Sequence, residues 1–172
     1  TAATGMDALT HAVESYVSIG ANPVTDACAI QAIKLIAKYL RIAVANGENL
    51  EARENMAYAS LLAGMDFNNA GLGYVHAMAH QLGGFYDMAH GVANAILLPH
   101  VERYNMISNL QKFADIAVFM GENIEGLSLR QAAEKAINSI VQLSKDIGIP
   151  SGLSEFNIEP DSFEKMAKYA LK

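Results

Sequence analysis

Apolar side chains recur along this chain with the period of a helix, and no stretch of convincing length alternates with the period of a strand. Met6, Leu9, Val13, Tyr16 and Val17 share one stripe. Asn22-Pro23 opens a longer segment, with proline at the first helical position, where its missing N–H costs nothing. Ile30, Ile33, Ile36, Leu40 and Val44 carry that stripe until Asn46-Gly47 ends it. A third helix is predicted over residues 50–69, with Met56, Leu62 and Phe67, and a fourth over residues 73–83, stopping at Gly83-Gly84. A fifth starts near His90 and reaches Pro99, which is predicted to kink or break it. Ser108 and Gly121 bracket a sixth. Ser128 with Gln131 makes a capping box for a seventh, which runs to Asp146. Residues 149–152 read as a loop, and a last helix follows Pro160-Asp161. The pattern predicts one all-α domain over residues 1–172, of about eight helices, without repeats or an internal linker.

Composition narrows the class. Of the 172 residues, 52% are hydrophobic and 17% charged, which excludes disorder and leaves more apolar surface than one small domain easily hides. The formal net charge of −6 argues against nucleic acid and against an anionic membrane surface as partners. No apolar run reaches the roughly 18 residues that span a bilayer. Cys28 stands alone and cannot form an internal disulfide, so a cytoplasmic setting is expected, with Cys28 as a small buried apolar residue. The opening TAATGMDALT has neither a starting Met nor a signal pattern, and the chain is expected to be a piece of a longer protein.

The histidines are unevenly placed. His76, His80 and His90 lie within 15 residues, and His11 follows Asp7 by four. Residues at i and i+4 share a helix face one turn apart, so Asp7/His11 and His76/His80 are each spaced to offer two ligands to one divalent ion. Nitrogen and oxygen donors admit Zn²⁺, Fe²⁺, Co²⁺ or Ni²⁺ without choosing among them. The same spacing leaves other readings open. Thr4 and Asp7 fit a helix-capping pattern, His11 fits a core histidine, and His100, beside Glu102 and Arg103, fits a surface or structural residue. His76 and His80 lack the intervening Glu of a zinc protease. Gly71-Leu72-Gly73 has His76 where a dinucleotide fingerprint needs its third glycine, and there is no phosphate-binding loop. Gly91 directly after His90 fits a histidine presented at a compact turn or helix start.

Two blocks, TGMDALTHAVESYVS (residues 4–18) and GLGYVHAMAHQLGGFYDMAHGVANAILLPHVERYN (residues 71–105), resemble the iron-containing alcohol dehydrogenase family, in particular its lactaldehyde reductase and 1,3-propanediol dehydrogenase branch. The resemblance implies a two-domain parent, in which an N-terminal α/β domain holds NAD(P) and the helical C-terminal domain, which this chain resembles, supplies the metal ligands. Carried over position by position, the implied ligands of Fe²⁺, or of Zn²⁺, are Asp7, His11, His76 and His90. By the same matching His80 stands beside the nicotinamide and substrate as a catalytic and cofactor-contacting residue, and Phe67 borders the substrate. Three neutral imidazoles and one carboxylate would leave a divalent ion a net positive charge and an open position, as a catalytic site requires. The implied activity interconverts small alcohols and aldehydes or ketones. The isolated chain is expected to be inactive without the cofactor domain, and the parent to be a homo-oligomer. The alternatives are a zinc-dependent glycerol dehydrogenase-like relative and a stand-alone helical metal-binding or interaction module without catalysis.

Overall fold

The computed structural model describes residues 1–171, and these contain helices and turns but no strand. Eight α-helices follow in order: α1 (Ala2–Val17), α2 (Pro23–Ala45), α3 (Leu50–Ala70), α4 (Tyr74–Tyr86), α5 (His90–Asn105), α6 (Leu110–Phe119), α7 (Leu129–Asp146) and α8 (Phe163–Ala170). Short 3-10 turns lie at Met106–Ser108, Leu153–Phe156 and Pro160–Ser162. None of these helices is long and apolar enough to cross a membrane.

Helix α1 is the hub, packing on α2, α3 and α5, while α2 lies along α3, α6 along α7, and α4 between α5 and α8. The predicted stripes explain this arrangement. Met6, Leu9, Ile33, Ile36, Leu40, Leu98, Phe113, Ile116, Ile137, Ile140 and Leu143 are fully buried in one continuous core. Each such side chain contributes about 1.5–3 kcal/mol on burial. Glycine is required where α5 meets α1: a Cβ on Gly91 would stand 2.5 Å from the Ala3 carbonyl oxygen. The close crossing brings the start of α5 onto the first turn of α1.

Local capping sets several boundaries where the sequence places them. The Asn22 side chain accepts from the Val24 and Thr25 N–H groups, and the Thr25 hydroxyl accepts in return from the Asn22 N–H. Ser128 and Gln131 form the same reciprocal box at α7. Four expectations are corrected. Helix α4 runs through Gly83-Gly84 to Tyr86, because glycine permits a stop without imposing one. Its stop is at Asp87, left-handed with φ 51°, where the Asp87 and Met88 N–H groups close back on Gly83 and Leu82. Helix α5 likewise continues past Pro99 to Asn105. Leu97, Leu98 and Val101 are buried around that proline, so packing holds the helix despite one missing hydrogen bond. Helix α6 is capped by Asn109, whose side chain accepts from the Lys112 N–H, while Ser108 ends the preceding 3-10 turn. Cys28 is only partly buried.

Candidate metal centre

The site forms where α1, α4 and α5 meet. Asp7, His11 and Glu14 recur on α1 at i, i+4 and i+7, a polar line within a largely buried helix. Helix α1 begins at Ala2, so Asp7 lies in its second turn and caps nothing; its carboxylate reaches across to α5 instead. Helix α4 contributes His76 and His80, and α5 contributes His90 and, one turn on, Asn94.

Asp7, His76 and His90 each bring one ligand atom into a group whose members all lie within 4.8 Å of one another. Asp7 Oδ1 is 3.9 Å from His76 Nε2 and 3.4 Å from His90 Nε2. His11 stands at the edge of this group. Its Nδ1 is 3.8 Å from Asp7 Oδ2, and its ring stacks between His76 and Phe67, with both centroid separations 4.3 Å. His80 is exposed and lies outside the converging atoms, its ring stacked on His90 at 5.3 Å and edge-on to His76 at 6.2 Å. Phe67, partly buried on α3, therefore touches the site through His11 rather than through the converging atoms.

Two buried residues that sequence reasoning passed over complete the geometry. Glu14 Oε2 is 2.5 Å from His76 Nδ1, and Glu14 Oε1 accepts the Val75 N–H at 2.7 Å. A carboxylate on Nδ1 fixes the tautomer: the proton sits there, and the Nε2 lone pair faces Asp7 and His90. Gly73 allows this approach, since a Cβ there would meet Glu14 Oε1 at 2.9 Å. Asn94, fully buried, places its Nδ2 2.6 Å from Asp7 Oδ1, 3.1 Å from His76 Nε2 and 3.0 Å from His90 Nε2. Each had a sequence signal. Glu14 stands seven residues after Asp7 and Asn94 four after His90, each on the same helix face as a candidate ligand.

For His11 and His90, burial favours the neutral imidazole, the form a metal binds. Burial, followed by the neighbouring His76, lowers the His11 pKa to about 4. Burial also lowers that of His90, against the pull of Asp7. The donor set fits a divalent ion. One carboxylate oxygen and two imidazole nitrogens crowd one amide nitrogen that carries only two hydrogens, and the Asn94 Oδ1 is buried without a partner. A carboxylate oxygen with imidazole nitrogens is a set that suits Fe²⁺ or Zn²⁺.

Cavities lie to the side. One of about 690 Å³ between α4, α5 and α8 is lined by Tyr74, Met78, Leu97, His100 and Met166, and by none of Asp7, His11, His76, His80 or His90. His100 is thus an exposed residue on an apolar wall. Another of about 520 Å³ lies behind Glu14 and includes Ser18, Glu102 and Asn105.

Fold and site together define a helical domain that gathers histidines and a carboxylate where three helices cross. The family profile described as "Fe-containing alcohol dehydrogenase family, C-terminal" matches residues 1–172, and the chain belongs to that family. It is 72% identical to 1,3-propanediol dehydrogenase of Citrobacter freundii over 172 residues, all of this chain and 44% of that protein. It is 54% identical to NAD-dependent methanol dehydrogenase of Bacillus methanolicus, again over the whole chain and 45% of the relative. The crystal structure of a 1,3-propanediol oxidoreductase superposes with a TM-score of 0.99 at 71% identity, over 99% of this chain and 45% of that one. The chain spans less than half the length of the curated relatives it matches.

Proposed function

We propose that this chain is the metal-binding, catalytic part of an NAD(P)-dependent alcohol dehydrogenase that interconverts small alcohols and aldehydes or ketones. The observation that carries the reading is the convergence of Asp7, His76 and His90 at the crossing of α1, α4 and α5. The names of the relatives support the reaction class, and that of the methanol dehydrogenase supports NAD as the cofactor. Asp7, His11, His76 and His90 would hold the ion, with Glu14 locking His76 in its ligating tautomer. When bound, the metal supplies Lewis acidity toward the alcohol or carbonyl oxygen, and the nicotinamide exchanges the hydride.

The chain's own residues do the rest. His80, exposed beside His90, takes the hydroxyl proton at a ring nitrogen and passes it to solvent. Phe67, behind His11, gives the substrate side an apolar border. The cofactor would be held by a nucleotide-binding domain of the same parent protein, so the 172 residues alone are inactive. Exposed apolar side chains such as Leu61, Met65 and Tyr58 on α3 support contact with that domain or with a second copy in a homo-oligomer. A cytoplasmic location agrees with the free Cys28.

The test uses the full-length protein purified anaerobically. His76→Ala/His90→Ala should lose its bound metal, and His80→Ala should lower turnover with metal content unchanged. Equal metal occupancy in the double variant would overturn the ligand set, and metal loss in His80→Ala would overturn its role.

A further inference from the structure

Three side chains near the end of α1 reach across to the turn that joins α3 to α4. Helix α3 ends at Ala70, and its last carbonyls have no partner within the helix. The Ser18 hydroxyl donates to the Ala70 carbonyl at 2.6 Å, and the Ser15 hydroxyl donates to the Gly71 carbonyl at 3.2 Å. Beyond the turn, Glu14 Oε1 accepts the Val75 N–H in the first turn of α4. Both ends of the three-residue turn 71–73 are therefore fastened to α1. We propose that Ser18, assisted by Ser15, is a positioning residue for His76: its hydroxyl seats the α3–α4 turn on α1 and so sets how the ligand on α4 meets those on α1. This rests on the metal reading above and goes beyond it.

The surroundings of His11 show what the turn controls. Phe67 lies one helical turn before the end of α3, where the Gly71 N–H closes on the Phe67 carbonyl at 2.8 Å. His76 is the third residue of α4. The chain joins the two through this turn, and the His11 ring stacks on both of them at 4.3 Å. Asp7, His11, Glu14 and Ser15 all stand on α1, and Ser18 caps its end. Helix α1 is thus the frame against which His76 and Phe67 are placed, and a slip of the turn along it displaces both from His11.

The contact has little slack. A Cβ on Gly20 would stand 2.6 Å from the Ala70 carbonyl oxygen, so the turn lies directly against the end of α1. Ser18 Oγ also accepts the Gly20 N–H at 3.1 Å, which holds the hydroxyl aimed at Ala70. Ser15 is wholly buried, and a serine within a helix often bonds back to its own helix. Its hydroxyl goes to the neighbouring turn instead. Glu14 and Ser18 divide the work. Glu14 sets the tautomer of the His76 ring, and Ser18 places the backbone that leads to it. Metal–ligand distances hold to within about 0.2 Å, so a small displacement of that backbone weakens the grip of His76 on an ion.

Positioning and plain stability differ in what they change. The Zn²⁺ affinity of the full-length protein is measured by competition with a chromogenic chelator, and thermal unfolding is followed alongside. Ser18→Ala should bind Zn²⁺ about tenfold more weakly than the parent, as loss of a partner that orients a ligand does. Ser18→Thr keeps the hydroxyl on an extended backbone (φ −62°, ψ 151°) and should restore the affinity. Gly20→Ala leaves every hydroxyl in place but pushes on the Ala70 carbonyl, and should weaken Zn²⁺ binding in the same direction. It serves if Ser18→Ala does not fold. A hydroxyl that only stabilises the fold would lower the Tm of Ser18→Ala and leave its Zn²⁺ affinity at the parent's value. That result, or equal weakening in Ser18→Thr, overturns the proposal and leaves the metal reading standing. If the parent binds no Zn²⁺, the metal reading fails and this inference falls with it.

Discussion

Glu14 and Glu102 are both fully enclosed carboxylates, on adjoining helices α1 and α5, yet their surroundings differ completely. Glu14 has a use for each oxygen: one accepts the Val75 N–H at the start of α4, the other holds His76 Nδ1. Glu102 has one long hydrogen bond from Asn105 at 3.4 Å, and its Oε1 has no partner. Burial, with Glu14 nearby, pushes the Glu102 carboxyl up to about 8. Asp66 on α3 resembles Glu102, with both oxygens unpartnered and burial raising it to about 7. Burial alone thus pushes a carboxyl toward its protonated form, whereas burial against donors turns it into a part that orients a histidine.

The largest expected effect follows from removing the satisfied member. Glu14→Ala leaves the Val75 N–H and the His76 Nδ1–H buried without acceptors, and should cost about 3–5 kcal/mol in urea unfolding of the full-length protein. Glu14→Gln keeps the volume and one acceptor, so it should fold better while weakening metal binding about 10–100-fold, through loss of the carboxylate that fixes His76. Chelator competition measures the second quantity. A Glu14→Gln variant with unchanged metal affinity would erase the distinction drawn between the two carboxylates.

What the sequence shows of this site divides along the same line. Boundaries set by neighbours in the chain are legible: Asn22-Pro23 and Ser128/Gln131 cap α2 and α7 through groups no more than three residues apart. Breakers are weaker guides, because Gly83-Gly84 and Pro99 act through backbone preference and the packing of Leu82, Leu97 and Leu98 carries the helices through them. Helical spacing alone pairs His76 with His80. The structure instead directs His76 Nε2 toward His90, which depends on the turn at Asp87 and the crossing of α4 on α5. The family resemblance had named His90 with His76; the spacing could not. Glu14 and Asn94 escaped notice because a single Glu or Asn within a helix reads as a solvated residue until the opposing helix is in place.

The smaller prediction concerns Glu102, and its sign follows from proton counting. The ordinary value for this carboxyl is 4.5, and in the folded protein it is about 8. Below the ordinary value both folded and unfolded chains carry the proton, and the group adds no pH dependence. Between the two values the unfolded chain has released its proton while the folded chain keeps it. The unfolded state then binds fewer protons, so stability falls as pH rises. Above about 8 both states are ionised and the slope from this group vanishes. Glu102→Met has similar length and no charge, and deprives only the half-buried Asn105 amide of its long hydrogen bond. It should stabilise the protein by about 1–3 kcal/mol near neutral pH. The gain over the parent should be smallest at acid pH and grow until the folded carboxyl ionises. Urea unfolding of parent and variant across that range reads the difference directly, with other titrating groups common to both. A constant difference, or one that shrinks as pH rises, would mean that Glu102 finds a donor on folding after all and belongs with Glu14.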